Sequence, residues 1–374
     1  MPLPFDSSNA APVAVVAAYF GGWKDPPEAS ATQYLPSPWG RNPANSVYLS
    51  DYPERYPTYG AVDEDSQAVI DQHLADAATA GITAFAVNWY RDEYLSYPAT
   101  RMAASTSASP VKWCIQWSNY YTRMSATACQ KPWVYEGVRL AALRMSGSRY
   151  WRKSNRPVFV IFTAVHLDDT IRVSGGQLIS YTPTQAERAA LVRDIRNVIG
   201  NVLAGDTTGG ISGSTVSASA NAGPYLVLMT SDADWVRTVG IDATTDYNVQ
   251  SGSFSGVDRL TRSFAEMNQA CRQNWAYNNT LAATWGKPHW PTVMAGWDAR
   301  AWGGTAADPL HDNCVPTDAE FAAHLLSARQ FAATPSADGT IFLYAWNEFG
   351  EGGYVQPTVG TGAGRLTAIA GITR

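Results

Sequence analysis

The feature that most restricts how this chain can fold is a recurrence. Short apolar runs rich in β-branched and aromatic residues, each stopping abruptly at polar and aromatic residues, alternate with helical sequence. The runs are Val13–Phe20, Ile82–Tyr90, Val111–Trp117, Val158–Phe162, Tyr225–Met229, Ile241–Val249, Pro291–Ala295 and a last one from Thr340. Runs without polar alternation suit parallel strands covered on both faces. Helical patterning over Asp63–Ala80, Val134–Met145, Thr184–Leu203, Val257–Ala276 and Thr317–Ala333 separates them. Thr184 with Glu187, and Thr317 with Glu320, have the capping-box spacing that starts a helix. Alternation at roughly 30 to 50 residues per unit indicates parallel α/β architecture, and eight strands close a barrel. The expected fold is therefore a (β/α)8 TIM barrel, a single domain over residues 1–374 with long loops at its C-terminal face. An open doubly wound sheet would need a Gly-rich phosphate turn leading from the first strand into a helix; Gly21-Gly22 opens a loop instead.

Two stretches interrupt the rhythm. Residues 24–62 are rich in Pro, Tyr and Gly and read as a long loop at the barrel mouth between the first strand and the first helix. Residues 204–223 are a Gly/Ser/Thr run, read as a flexible insertion on the opposite face. The polar and aromatic clusters follow strands rather than precede them, as expected where chemistry sits at the C-terminal mouth.

Composition narrows the partner. A net charge of -5 and a charged fraction of 16% exclude the basic footprint of a nucleic-acid binder and favour an uncharged ligand. Fourteen Trp and nineteen Tyr supply flat faces with polar edges, suited to the apolar faces of sugar rings. Cys114, Cys129, Cys271 and Cys314 form no CxxC pair and share no metal spacing with the five histidines, so no metal and no cofactor are expected and disulfide pairing stays open. No signal peptide and no transmembrane stretch are visible. Location is left unassigned, and so are partner proteins.

The last run empties into Trp346-Asn347-Glu348-Phe349-Gly350-Glu351-Gly352-Gly353-Tyr354. Cleavage of a glycosidic bond needs one carboxyl to protonate the leaving oxygen and a second group to generate the nucleophile. Glu348 and Glu351, three apart after a strand, have the required chemistry; the plainer alternative is that one of them braces an arginine such as Arg300 or Arg91. Trp89, Trp117, Trp297 and Trp346 fall at strand ends and are expected to offer stacking platforms, with Trp23 and Tyr354 beside them. Asn119, Asp234, Asp298, Arg300 and Asn347 are expected as polar contacts to the sugar.

Trp346-Asn347-Glu348-Phe349-Gly350-Glu351-Gly352, Gly296-Trp297-Asp298-Ala299-Arg300, Gln116-Trp117-Ser118-Asn119 and Arg156-Pro157-Val158-Phe159 resemble landmarks of WbsX-type proteins, which are similar to glycoside hydrolase family 99. The opening Val16-Ala17-Ala18-Tyr19-Phe20-Gly21-Gly22-Trp23 is also similar to that group's first strand. The resemblance implies a (β/α)8 barrel and metal-independent, retaining hydrolysis of a mannose-like polysaccharide. By the same resemblance, Glu348 deprotonates the sugar 2-hydroxyl and Glu351 serves as acid and then base. Phe349-Gly350 and its surroundings follow the WbsX form more than the family 99 hydrolases. A glycosyltransferase of polysaccharide biosynthesis is therefore an alternative, as is a non-catalytic carbohydrate-binding protein of a phage tail or surface assembly.

Overall fold

The computed structural model describes residues 12–23, 49–90, 96–119, 131–168, 171–174, 177–180, 182–206, 223–305, 307–334 and 336–373. Eight parallel strands form the barrel: β1 (Ala14–Tyr19), β2 (Ala84–Trp89), β3 (Lys112–Trp117), β4 (Arg156–Ile161), β5 (Tyr225–Met229), β6 (Ala243–Thr245), β7 (Thr292–Met294) and β8 (Thr340–Tyr344). They pair in the order β7-β8-β1-β2-β3-β4-β5-β6. The ring is completed where Thr244 bridges His289, just ahead of β7, with the Thr244 amide donating to Pro288 and the Trp290 amide to Thr244. Eight helices follow the strands in turn: α1 (Gln67–Thr79), α2 (Tyr97–Ala104), α3 (Lys131–Ala142), α4 (Gln185–Leu203), α5 (Ala233–Val236), α6 (Phe264–Thr284), α7 (Asp318–Ala332) and α8 (Gly364–Thr373). The expected (β/α)8 barrel is what the chain forms.

Register decides which side chains line the barrel. Val16 pairs with Ala84 and Phe342, Ala18 with Ala86, Asn88 with Gln116, Gln116 with Val160, Met229 with Thr245, and Met294 with Tyr344. Paired residues of parallel strands share a face, and neighbours along a strand face opposite ways. One set therefore fills the interior, with small residues such as Ala18, Ala84 and Ala86 low down and Asn88, Gln116 and Tyr344 near the mouth. The alternate set packs under the helices.

Both predicted capping boxes are present, Thr184 with Glu187 on α4 and Thr317 with Glu320 on α7. The sixth unit differs from the expectation of a helix from Val257. Ser251–Phe254 and Val257–Leu260 form an antiparallel hairpin, and the helix begins at Phe264. The turn residues Ser255 (φ 54°) and Gly256 (φ 79°) are both left-handed, the geometry that matches hairpin twist and that a continuing helix excludes. A second hairpin, Ile171–Ser174 with Gln177–Ser180, follows β4. Of the long loop expected over 24–62, residues 24–48 lie outside the described residues, as do 207–222 of the insertion expected over 204–223. Cys114, Cys271 and Cys314 are buried free thiols; Cys129 lies outside the described residues. Among the described residues no helix is long and apolar enough to cross a membrane.

Candidate active site

β8 ends at Tyr344, and the chain then makes a small turn: Asn347–Glu348 pairs antiparallel with Gly353–Tyr354. The turn is possible because of its glycines. A Cβ on Gly350 would lie 1.8 Å from Trp302 Nε1, and one on Gly353 would lie 2.2 Å from the Tyr344 ring. Gly352 is left-handed (φ 72°), and its Cβ would meet the Asp298 amide nitrogen at 2.6 Å. The turn therefore rests directly on Tyr344, Trp302 and the backbone after β7.

Glu348 is buried and Glu351 partly so. Each takes a hydrogen bond from its own tyrosine: the Tyr247 hydroxyl donates to Glu348 Oε1, and the Tyr344 hydroxyl to Glu351 Oε2. The two rings meet edge to face at 5.0 Å. Behind Tyr247 stands a buried amide chain, in which Gln116 Nε2 donates to Asn88 Oδ1 and Asn88 Nδ2 donates to the Tyr247 hydroxyl at 3.3 Å. Burial, then the negative charge of Glu351, push the Glu348 carboxyl well above the usual carboxylate range, against the pull of the Tyr247 hydroxyl. Burial also raises Glu351, against the pull of Tyr344. Burial thus raises both carboxyls, and the charge of Glu351 adds to the rise at Glu348. Both tyrosines are themselves raised well above their ordinary value, by burial first, and so remain donors.

Asp298 has a different surrounding. Arg300 grips it through Nε at 2.7 Å and Nη2 at 2.5 Å, while the buried Arg55 reaches it through Nη2 at 2.5 Å. Arg55 also donates to the Asp298 and Phe349 carbonyls, each at 2.9 Å. Burial pushes the Asp298 carboxyl up, but the Arg300 hydrogen bonds and the Arg55 charge outweigh it and hold the group below its ordinary value. Asp298 is a fixed anion bracing the turn, and its amide donates to the Glu351 carbonyl at 2.7 Å.

The structure sorts the residues expected at the site. Trp297 stacks on His311 (5.5 Å) and Tyr344 (6.4 Å), and its buried Nε1 has no partner among the described residues. Asn347 is a structural pin: its Oδ1 accepts from the Phe20 amide, its Nδ2 donates to the Phe20 carbonyl, and its carbonyl accepts from Trp23 Nε1, each at 2.8 Å. Trp23 and Tyr354 are buried against Phe349 rather than presented to the mouth.

Trp89, Trp117 and Trp346 are not platforms at the mouth. Asn88 and Gln116 face the interior, so Trp89 and Trp117, one residue on, face the helices. Trp117 stacks on Phe159 at 5.9 Å and lies against Gly137 of α3, and Trp89 lines a 310 Å³ cavity beside α2 and α3. Trp346, fully buried, packs on Phe85 and on His73 of α1. Asn119 exchanges hydrogen bonds with the Thr163 backbone, tying the β3 and β4 ends together. Asp234 pairs with Arg188 and Arg237, away from the glutamates.

Four residues of the site were not anticipated. Tyr247 and Tyr344 could have been found by carrying inward alternation along β6 (Ala243, Thr245, Tyr247) and β8 (Thr340, Phe342, Tyr344). Arg55 lies in a loop hundreds of residues from its partners, with no local signal. Trp302 is 45% exposed next to the carboxyl turn, with its ring against Gly350 and tilted toward that of Trp23 at 6.5 Å. Among the described residues no group of His, Cys, Asp and Glu is placed to hold a metal ion.

Fold and site together define a (β/α)8 barrel protein with a carboxyl pair at the C-terminal end of its eighth strand. The chain belongs to the WbsX family, whose model, described as glycosyltransferase WbsX, matches residues 42–369. Among solved structures it is similar to a glycoside hydrolase-like protein (TM-score 0.65, 13% identity, covering 100% of this chain and 97% of that one). It is also similar to the GH99 endo-α-mannosidase from Bacteroides thetaiotaomicron in complex with bis-tris-propane (TM-score 0.60, 14% identity, 95% and 94% covered). A further structure of the GH99 endo-α-mannosidase from that organism matches at TM-score 0.57 and 14% identity, with 92% and 88% covered. At these identities the likeness is one of fold. No curated protein sequence matches the chain significantly.

Proposed function

We propose that this protein is a retaining glycosidase that cleaves an oligo- or polysaccharide, of the bacterial cell-wall, capsular or mannan-like kind. The observation that carries the reading is the Glu348/Glu351 pair at the mouth of β8, each member held by its own tyrosine and raised by burial. In the proposed reaction Glu348 takes the proton of the sugar 2-hydroxyl as that oxygen attacks the anomeric carbon. Glu351 gives its proton to the departing glycosidic oxygen. Water then opens the intermediate: Glu351 takes the water's proton, and O2 recovers its own from Glu348. In the free site burial raises both carboxyls, and Glu348 is the more deeply buried member. This division of roles therefore requires the proton to sit on Glu351 once sugar is bound.

The family's description favours a second reading, transfer of a sugar from an activated donor. A panel of polysaccharides assayed for new reducing ends separates the two. Hydrolysis without an added donor, lost about 10²–10⁴-fold in both Glu348→Gln and Glu351→Gln, is the expected result. Turnover that depends on a nucleotide-sugar or lipid-linked donor would establish the transferase. Parent-like activity of both variants on a true substrate would remove the pair from the chemistry.

A further inference from the structure

Beneath the turn lies a third carboxyl that the proposed reaction does not use. Glu64 is fully buried three residues before α1. Its Oε1 accepts from Asn347 Nδ2 at 2.7 Å, its Oε2 accepts from the Trp23 amide at 3.1 Å, and the Tyr19 side chain of β1 hydrogen-bonds to it. The Tyr19 hydroxyl also lies 2.8 Å from Nδ1 of His73 on α1. On the far side of that imidazole, Gln356 Nε2 stands 3.1 Å from His73 Nε2 and donates at 2.8 Å to the hydroxyl of Tyr59, whose residue is 42% exposed. An unbroken line of hydrogen-bonding groups thus runs from Asn347, the residue before Glu348, to the surface.

We propose that Glu64 is a positioning residue for Glu348, seating it through Asn347 and setting its proton affinity through the charge that the Tyr19–His73–Gln356 line lets Glu64 gain or lose. The hydrogens allow two arrangements. With Glu64 ionised, the Tyr19 hydroxyl donates to it, His73 carries its proton on Nδ1 and donates to Tyr19, and His73 Nε2 accepts from the Gln356 amide. With Glu64 protonated, its O–H donates to Tyr19, Tyr19 donates to Nδ1, and the imidazole proton sits on Nε2 facing a Gln356 amide turned to present its oxygen. Passing from the second arrangement to the first moves each hydrogen one place along the line, and the Nε2 proton passes to solvent water as base on the Tyr59 side while Gln356 turns its amide from oxygen to nitrogen toward Nε2.

The groups facing this line favour such a switch. Burial forbids charge on His73, lowering it to about 3, so the imidazole relays without becoming a cation. Glu64 is acted on by Tyr19 of β1, by Asp63 beside it and by Asn347 of the turn; burial outweighs its donors and lifts it to about 8. Glu348 faces Glu351, Tyr247 and Glu64, all neutral or anionic. A negative Glu64 therefore opposes ionisation of Glu348, and that is the coupling the site uses.

The test is a carbon-13 NMR titration of glutamate side-chain carboxyls in the full chain, with the ten glutamates assigned by Glu→Gln variants. Only the consequence for turnover rests on the glycosidase reading; the titration needs no substrate, so either can fail alone. Glu64→Gln keeps an acceptor for Asn347 and removes the charge. The Glu348 midpoint is expected to fall by about half a pH unit or more, with any activity profile shifting in the same direction. Tyr19→Phe keeps Glu64 and Asn347 in place and is expected to raise the Glu64 midpoint by removing a donor to its charged form. An unchanged Glu348 midpoint in folded Glu64→Gln, or an unchanged Glu64 midpoint in Tyr19→Phe, would overturn the proposal.

Discussion

Replacing Gly352 by alanine tests whether the carboxyl turn is braced by the backbone after β7. The left-handed conformation of Gly352 (φ 72°) costs an alanine about 1–2 kcal/mol. The new Cβ would also lie 2.6 Å from the Asp298 nitrogen and 2.8 Å from its Cβ, neither of which can swing aside. Overpacking of that kind adds about 1–3 kcal/mol. Gly362 is the control: it is left-handed too (φ 53°), but its Cβ would meet nothing within 4 Å, so only the conformational cost applies. With unfolding entropy of about 2.1 cal/mol/K per residue, the whole chain loses about 1.3 °C of melting temperature per kcal/mol. Gly352→Ala should therefore melt about 1–4 °C below Gly362→Ala in thermal scans at one scan rate. It should also lose activity on any accepted glycan, since the displaced Asp298 amide is the donor to the Glu351 carbonyl. Equal melting temperatures for the two variants would refute the idea that Asp298 forms a rigid wall under Glu351.

Glu64 contributes stability that is lost as pH rises from about 5 through 8, because, lifted by burial to about 8, it binds a proton in the folded state that the unfolded chain has already lost above its ordinary value of 4.5; the buried His73, His289 and His324, lowered to about 3, act the other way up to their ordinary value of 6.5. Melting temperatures of the parent and Glu64→Gln across that range check it: the parent's melting temperature relative to the variant's should fall toward pH 8, and a difference that grows in the parent's favour would contradict the sign. Trp117→Ala should behave as a core deletion costing about 3–5 kcal/mol. Trp302→Ala, at a half-exposed ring, should leave the melting temperature nearly unchanged while weakening glycan binding in calorimetry; the reverse pattern would reassign the two rings.

The architecture was legible because burial writes itself into sequence at the scale of one element. A barrel strand covered on both faces must be apolar along its length, and both capping boxes are local chemistry, so β5 (Tyr225–Met229) was delimited to the residue. The acidic turn was legible for the converse reason, since an apolar strand ending in two carboxyls and three glycines has no use for them in a core. Side-chain direction was harder. Four tryptophans at strand ends look equivalent in a list of residues, but a one-residue difference in phase puts Trp89 and Trp117 under the helices. Gln116 and Asn88, polar residues inside otherwise apolar strands, are the residues that carry that phase, each facing inward one position before a tryptophan.

What the sequence could not display is pairing across hundreds of residues. Glu64 sits in an Asp63-Glu64-Asp65 triplet that resembles the acidic first turn of any helix, and nothing local distinguishes it from its solvated neighbours. Its identity comes from Asn347, 283 positions away, and from the tyrosine and histidine that close over it. The same holds for Arg55, whose partners Asp298 and Phe349 belong to the β7 and β8 ends. A buried ion pair such as Arg55–Asp298 is costly to leave half-made, and when its members lie far apart in sequence it has no local signature. In this barrel such long-range contacts converge on one turn of seven residues, Asn347–Gly353, pinned by Asn347 on the β1 side and by Asp298 on the β7 side. A turn held from both sides can keep two glutamates close in an environment that raises both proton affinities, which a solvated loop of the same sequence could not do.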